Sequence, residues 1–309
     1  MPALAAAAQG RASSALVPLA APVYGGSMST PSAPARPGRR LGFGLGGLSP
    51  RRRALVAGVA LLAAAGAVVA GVAASSGGPA RAVAGYPPQD RPGPVLLVPG
   101  YGGQTGALSV LAARIRATGR QATVVRLPGN GTGDLNADAS VLNGAVTRAL
   151  DGGAPSVDVI GYSAGGVVVL LWARHDDGPG KARRVITLGS PYHGAGIAAG
   201  AEGFVPGACP LACQQLVPGS RLLAGLTATP VPPRPRWMSL WTTDDQVVTP
   251  PGSARLAGAI NVPVQSVCPG ERISHSQLPA NPVVTAIVLQ AIGPGPLRRP
   301  TAADCGVSS

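Results

Sequence analysis

Ser163 stands at the centre of Gly161-Tyr162-Ser163-Ala164-Gly165, between the β-branched-rich run Val157-Asp158-Val159-Ile160 and an apolar stretch from Val167 to Trp172. That order predicts a strand, a sharp turn and a helix, with glycines where any Cβ would be crowded. A serine hydroxyl raised above a sheet edge in this way can act as a covalent nucleophile if a base and an oxyanion site lie beside it. The pentapeptide alone discriminates little in a chain with 45 glycines. Its weight depends on what the rest of the chain supplies.

The sequence holds three histidines. His175 falls at the end of the helix that follows the serine, away from the strand tips, and reads as a surface or helix-terminal residue. His193, in Gly189-Ser190-Pro191-Tyr192-His193-Gly194, follows a strand and reads as a residue that orients its loop. His275, in Arg272-Ile273-Ser274-His275-Ser276, comes after the last expected strand and before the final helix. Downstream of an acid and of the serine, it is the candidate base. The acid is expected on a post-strand loop between serine and histidine. Thr242-Thr243-Asp244-Asp245-Gln246-Val247-Val248 follows the run Trp237 to Trp241 and meets that condition. Asp245 is the candidate, with Asp244 as the alternative.

An oxyanion site needs two backbone N–H groups aimed at the developing charge. One is expected from Ala164, directly after the nucleophile. The other is expected from Tyr101, in the glycine-rich turn Val98-Pro99-Gly100-Tyr101-Gly102-Gly103. These glycines do not read as a phosphate cradle, because neither a Gly-Lys-Ser/Thr nor a Gly-x-Gly-x-x-Gly spacing is present.

The elements that must position these residues follow from the pattern downstream of Gly85. Val95 to Val98, Thr123 to Arg126, Val157 to Ile160, Arg184 to Leu188, Arg236 to Trp241 and Val262 to Val267 read as strands. Helices are expected over 106–118, 139–150, 164–175, 251–258 and 281–291. Near-continuous apolar strands alternating with helices predict an α/β fold with a mostly parallel central sheet covered on both faces. Between Gly194 and Pro235 the alternation breaks down, and the apolar side chains Phe204, Val205, Leu211, Leu216, Leu222, Leu223 and Leu226 suggest a small cap bordering the site. On that reading Leu222 and Leu223 help to set the pocket.

With these turns in place, the chain resembles the α/β-hydrolase superfamily, in particular the secreted bacterial triacylglycerol lipases and esterases of the lipase class 2 type. The resemblance covers roughly Pro94 to Ala291. It rests on the Pro99-Gly-Tyr-Gly-Gly turn, Gly161-Tyr-Ser-Ala-Gly, Thr187-Leu-Gly-Ser-Pro-Tyr-His-Gly, the Thr243-Asp-Asp-Gln-Val-Val turn and the Ile273-Ser-His turn. Such lipases commonly carry histidine before the glycine of the first turn, where this chain has Pro99. The resemblance implies a Ser163–His275–Asp245 triad, amides from Tyr101 and Ala164, and hydrolysis of a carboxylic ester, without metal or cofactor. An acyltransferase, thioesterase or peptidase on the same fold, or a non-catalytic surface protein, are the competing readings.

Charge is placed unevenly. Arg11, Arg36, Arg39, Arg40, Arg51, Arg52, Arg53 and Arg81 all precede Asp90, the first acid. Without these eight, 17 basic residues face 12 acidic ones, and the net charge falls from +13 to +5. A nucleic-acid partner is therefore not expected, since the remaining arginines are scattered and aromatics are scarce. Residues 1–53 read as a basic, disordered Pro/Ala/Gly-rich region. Ala54 to Ala74 carries no polar side chain and follows three arginines. It reads as the apolar part of a signal peptide cleaved near Ala82-Val83-Ala84 or, if retained, as a membrane anchor. Residues 75–93 are then a linker, 94–293 the catalytic domain with 194–235 as its cap, and 294–309 a tail. The domain is expected outside the cytoplasm, as a monomer acting on an ester or lipid. Four cysteines suit an oxidising setting, with Cys209–Cys213 and Cys268–Cys305 the preferred of three pairings.

Overall fold

A computed structural model describes residues 85–198, 200 and 209–306, with isolated positions 49 and 51. The basic leader, the apolar segment 54–74 and most of the 75–93 linker lie outside the described residues, as do Phe204 and Val205 of the cap. Among the described residues no helix is long and apolar enough to cross a membrane.

Six strands form one all-parallel sheet: β1 (Val95–Val98), β2 (Ala122–Val124), β3 (Val157–Tyr162), β4 (Ala182–Leu188), β5 (Arg236–Trp241) and β6 (Ile260–Pro263). Their order is β2-β1-β3-β4-β5-β6. All four β1 residues and all seven β4 residues are buried, as expected for strands covered on both faces. Side-chain alternation sorts each strand between two cores. Leu96, Val98, Val157 and Val159 face the layer of α2 (Leu135–Asp151) and α3 (Ala164–His175). Val95, Leu97, Ile160 and Ile186 face α1 (Gly106–Ala117) and the C-terminal helix, Pro282–Ile292. The chain thus winds one way from β1 to β2 and the other way from β2 to β3. The turns after β1 and β3 meet at that reversal, where open parallel sheets place their ligands.

Some element limits differ from the sequence reading, each for a local reason. α2 begins at Leu135 and not near Ala139, because the Asp134 side chain accepts from the Asn136 N–H at 3.0 Å and caps the helix one turn earlier. The last strand stops at Pro263, which has no N–H to continue a ladder, and Val264–Ser266 turns into a 3₁₀ segment. The helix expected over 251–258 is only a 3₁₀ turn, Pro251–Ala254. The Asn261 side chain takes the Leu256 N–H at 2.9 Å and donates back to its carbonyl at 2.9 Å, which holds the rest as a loop.

The lower end of the sheet holds a charged cluster absent from the sequence reading. Asp158, Arg183 and Arg184 have no exposed surface. Arg183 grips Asp158 through Nε at 3.0 Å and through Nη2, and Arg120 adds a third contact at 2.8 Å. The surplus positive charge faces the C-terminal helix, whose last carbonyls accept from both arginines: Gly293 O lies 2.9 Å from Arg183 Nη1 and 2.9 Å from Arg184 Nη1. Guanidinium groups at a helix C-terminus complement its dipole and fill carbonyls that the helix leaves open. Burial, with Arg183 close by, lowers the Arg184 pKa to about 10. The same cluster reaches the segments before β1 and after the last helix. Arg183 donates to Gln89 O at 2.8 Å, Leu297 is buried, and the Cys268–Cys305 disulfide ties the tail to the sheet. The packed unit therefore extends beyond 94–293 on both sides.

Asp138 on α2 is 1 % exposed, and its Oδ2 has no partner. Burial, reinforced by the Asp134 charge, raises its pKa from 3.8 to about 6. The unfolded chain then releases this proton at lower pH than the folded one, so stability falls as pH rises from about 4 to 6 and then levels off. Asp138→Asn, which mimics the protonated acid, removes this loss. Its melting temperature relative to the native chain is expected to be higher at pH 7.5 than at pH 3.5, as followed by circular dichroism.

Candidate active site

The turn after β3 is built by its glycines. A Cβ on Gly161 would come within 2.6 Å of Gly166 Cα, and one on Gly100 within 2.8 Å of Ser163 Cβ. Strand, helix and the β1 turn approach one another too closely for side chains there. Ser163 itself is held at φ 53°, ψ −129°, a backbone region that L-residues avoid, with its N–H donating to Leu188 O at 2.8 Å. Strain of this kind persists only where the surroundings over-determine it. Here it lifts the hydroxyl above the first turn of α3.

The His275 ring reaches that hydroxyl, with Nε2 2.9 Å from Ser163 Oγ. Its Nδ1 lies 2.7 Å from Asp245 Oδ2, and both side chains are almost wholly buried. The other carboxylate oxygen, Asp245 Oδ1, accepts from the Val247 and Val248 N–H groups at 2.9 and 2.8 Å. One oxygen therefore fixes the acid in its own loop while the other faces the imidazole. Thr242 ties the Asp245 and His275 loops together, since its Oγ1 donates to Ile273 O at 2.7 Å. Asp244 turns away, 3.5 Å from the exposed Arg272. Asp245→Asn is accordingly expected to lower turnover more than Asp244→Asn. Matched kcat measurements check this, and the reverse ranking would transfer the role to Asp244.

Two further residues hold His275, neither of them singled out in the sequence. The Tyr162 hydroxyl donates to the His275 carbonyl at 3.2 Å, and the two rings lie 5.2 Å apart. Burial, with the Asp245 charge adding to it, pushes the Tyr162 phenol up to about 12, so it remains a neutral donor. Gly189, at φ 58°, packs against the imidazole, and a Cβ there would meet His275 Nδ1 at 3.1 Å. The glycine in Leu188-Gly189-Ser190-Pro191 was visible in the sequence. Its closeness to a loop 86 positions later was not.

Gly100 and Tyr101 border Ser163. The Tyr101 and Ala164 N–H groups have no acceptor among the described residues. Tyr101, Ser163 and His275 line a cavity of about 330 Å³. The remainder of its lining is mostly apolar: Pro191, Ala195, Ile197, Ala198, Leu216, Val247 and Val248 together with Cys209, Pro210 and Cys213. Cys209 and Cys213 form a disulfide. Leu222 and Leu223 are not among the lining residues. They pack into the α2/α3 core from the helix Arg221–Thr227, so the expectation that they set the pocket is corrected in favour of Leu216 and the disulfide. His175 is exposed at the end of α3, and His193 is held in its loop through Nε2, 3.1 Å from Arg255 O. Among the described residues no group of three or more His, Cys, Asp or Glu side chains is placed to hold a metal ion.

No protein-family model matches the sequence, and no curated protein matches it. Solved structures do. Lipase B of Aspergillus fumigatus superposes with a TM-score of 0.57 at 18% identity, over 73% of this chain and 58% of that one. Bacillus licheniformis lipase BlEst2 in its propeptide form gives 0.54 at 19% identity, over 70% of this chain and 53% of that one. The chain thus spans little more than half the length of either. Agreement of this extent at so low an identity is agreement of architecture, and it assigns the chain the α/β-hydrolase fold.

Proposed function

We propose that the chain is a serine hydrolase of carboxylic esters, of the lipase or esterase type, working outside the cytoplasm. The observation that carries this reading is the continuous relay Ser163 Oγ–His275 Nε2 at 2.9 Å and His275 Nδ1–Asp245 Oδ2 at 2.7 Å, at the mouth of an apolar cavity. His275 takes the serine proton as Ser163 Oγ attacks the ester carbonyl. Asp245 fixes the tautomer and balances the imidazolium. The carbonyl oxygen, now negative, sits against the Tyr101 and Ala164 amides, each contributing about 3 kcal/mol in comparable sites. His275 returns the proton to the departing alcohol, leaving an acyl-serine. Water, deprotonated by the same base, then releases the acid.

The cavity favours an uncharged acyl group, because among the described residues its wall beyond the triad offers no carboxylate or guanidinium. Two disulfides fit an oxidising setting outside the cytoplasm. The two structural neighbours named above are lipases, which supports ester substrates for this chain. A panel of p-nitrophenyl esters of graded acyl length tests the reading, with Ser163→Ala as control. Turnover that depends on Ser163 is the expected result. Folded protein inactive on every ester would refute it.

A further inference from the structure

The cap contributes one wall of the cavity, through Ala195, Ala198, Cys209, Pro210, Cys213 and Leu216. Its core is the helix Leu211–Gln215, five residues long and without a side-chain N-cap. A helix this short does not hold itself, since nucleation outweighs the few bonds it makes. Two sets of contacts hold it instead. The Ala212 N–H donates to Thr132 O at 3.2 Å, and the Gln215 side chain joins the Leu135 N–H at 2.9 Å and Asp134 Oδ1 at 2.7 Å. These bonds fasten the helix to the start of α2, and at its cavity-lining entrance the Gln214 side chain donates to Cys209 O at 2.8 Å. There the Cys209–Cys213 disulfide spans one turn, with Cα atoms 5.4 Å apart and both residues buried.

We infer that the Cys209–Cys213 disulfide limits the length of acyl chain the cavity accepts, by fixing Cys209 and Pro210 in its wall. This rests on the ester-hydrolase reading and adds a specificity determinant to it. The alternative, that the bond serves global stability, is the weaker account. A crosslink with a sequence separation of 4 restricts the unfolded chain far less than Cys268–Cys305, with a separation of 37. Removing the short bond loosens the entrance of the helix, which keeps its hydrogen bonds from Gln214, while Ala212 and Gln215 hold the helix body in place. The wall then recedes, and the cavity lengthens.

The test compares the native protein, Cys209→Ser/Cys213→Ser and Cys268→Ser/Cys305→Ser on p-nitrophenyl butyrate and dodecanoate. Serine is close to cysteine in shape, slightly smaller and more polar, and cannot form the crosslink. The ratio of kcat/KM for dodecanoate over butyrate is expected to rise about tenfold in the first variant, the scale on which an apolar pocket distinguishes neighbouring chain lengths. In the second variant that ratio should stay unchanged while the melting temperature falls. An unchanged ratio in folded Cys209→Ser/Cys213→Ser overturns the inference. If that variant does not fold, Cys209→Ala/Cys213→Ala removes the same bond without adding buried hydroxyls, and an unchanged ratio in it overturns the inference equally. A native protein that turns over neither ester refutes the hydrolase reading and this inference with it. Turnover with an unmoved ratio overturns the inference alone.

Discussion

Replacing Ser163 or His275 by alanine is expected to lower ester hydrolysis on the order of a millionfold, equivalent to about 8 kcal/mol of transition-state stabilisation. The two effects should be nearly equal and far from additive. A serine without a base cannot lose its proton, and a base without a nucleophile has nothing to activate. The 2.9 Å contact between Oγ and Nε2 is what makes them one unit. Neither change should unfold the protein. Alanine removes only a hydroxyl at the strained Ser163 position, and the His275 loop keeps its ties through Thr242 and through Gln277 Oε1, which accepts from the Ser274 N–H at 2.8 Å. Initial rates on a short-chain ester, set beside thermal melts of the same samples, decide the point. A folded alanine variant with near-native turnover would remove that residue from the proposed mechanism.

The largest effect on stability is expected far from the site, at Asp158. This carboxylate sits between Arg183 and Arg120 with no exposed surface of its own. Asp158→Ala leaves the fully buried Arg183 without its counter-charge, and breaking a buried pair from one side costs about 3–5 kcal/mol. Asp158→Asn should lose less, because the amide oxygen still accepts from Arg183 Nε. The cluster carries the C-terminal helix, which packs on the same side as α1. Denaturation by urea measures the loss directly. A change below about 1 kcal/mol for Asp158→Ala would mean that the helix carbonyls alone satisfy the arginines.

These two sites also mark what could and could not be read from the residues. The strands were legible because a parallel sheet covered on both faces demands unbroken apolar runs, and Val95–Val98 and Val157–Ile160 supply them. Ser163 was legible from its local setting, since a sharp strand-to-helix turn requires glycine at fixed offsets. His275 and Asp245 followed from chain order and from having only three histidines to choose among. The choice between Asp244 and Asp245 needed the fold, because neighbouring residues in a turn face different partners and spacing does not say which. Arg183 and Arg184 were harder still. At the start of a strand they resemble solvated ends, and their burial depends on carbonyls more than 100 positions away. The cap divided in the same way. Its apolar content was visible, but Leu222 and Leu223 turn into the core while Cys209, Pro210 and Leu216 face the cavity. Only the direction in which a short helix points separates the two groups.

The central claim is that Ser163 is an activated nucleophile, and a fluorophosphonate probe tests it most directly. Phosphonylation needs the hydroxyl, the base and the oxyanion amides acting together, and it does not depend on which ester the cavity prefers. Native protein incubated with the probe should gain one adduct by intact mass, and peptide mapping should place it on Ser163. His275→Ala should react far more slowly, and Ser163→Ala should gain no adduct. Folded native protein that stays unlabelled, or that carries the label on another residue, would contradict the assignment.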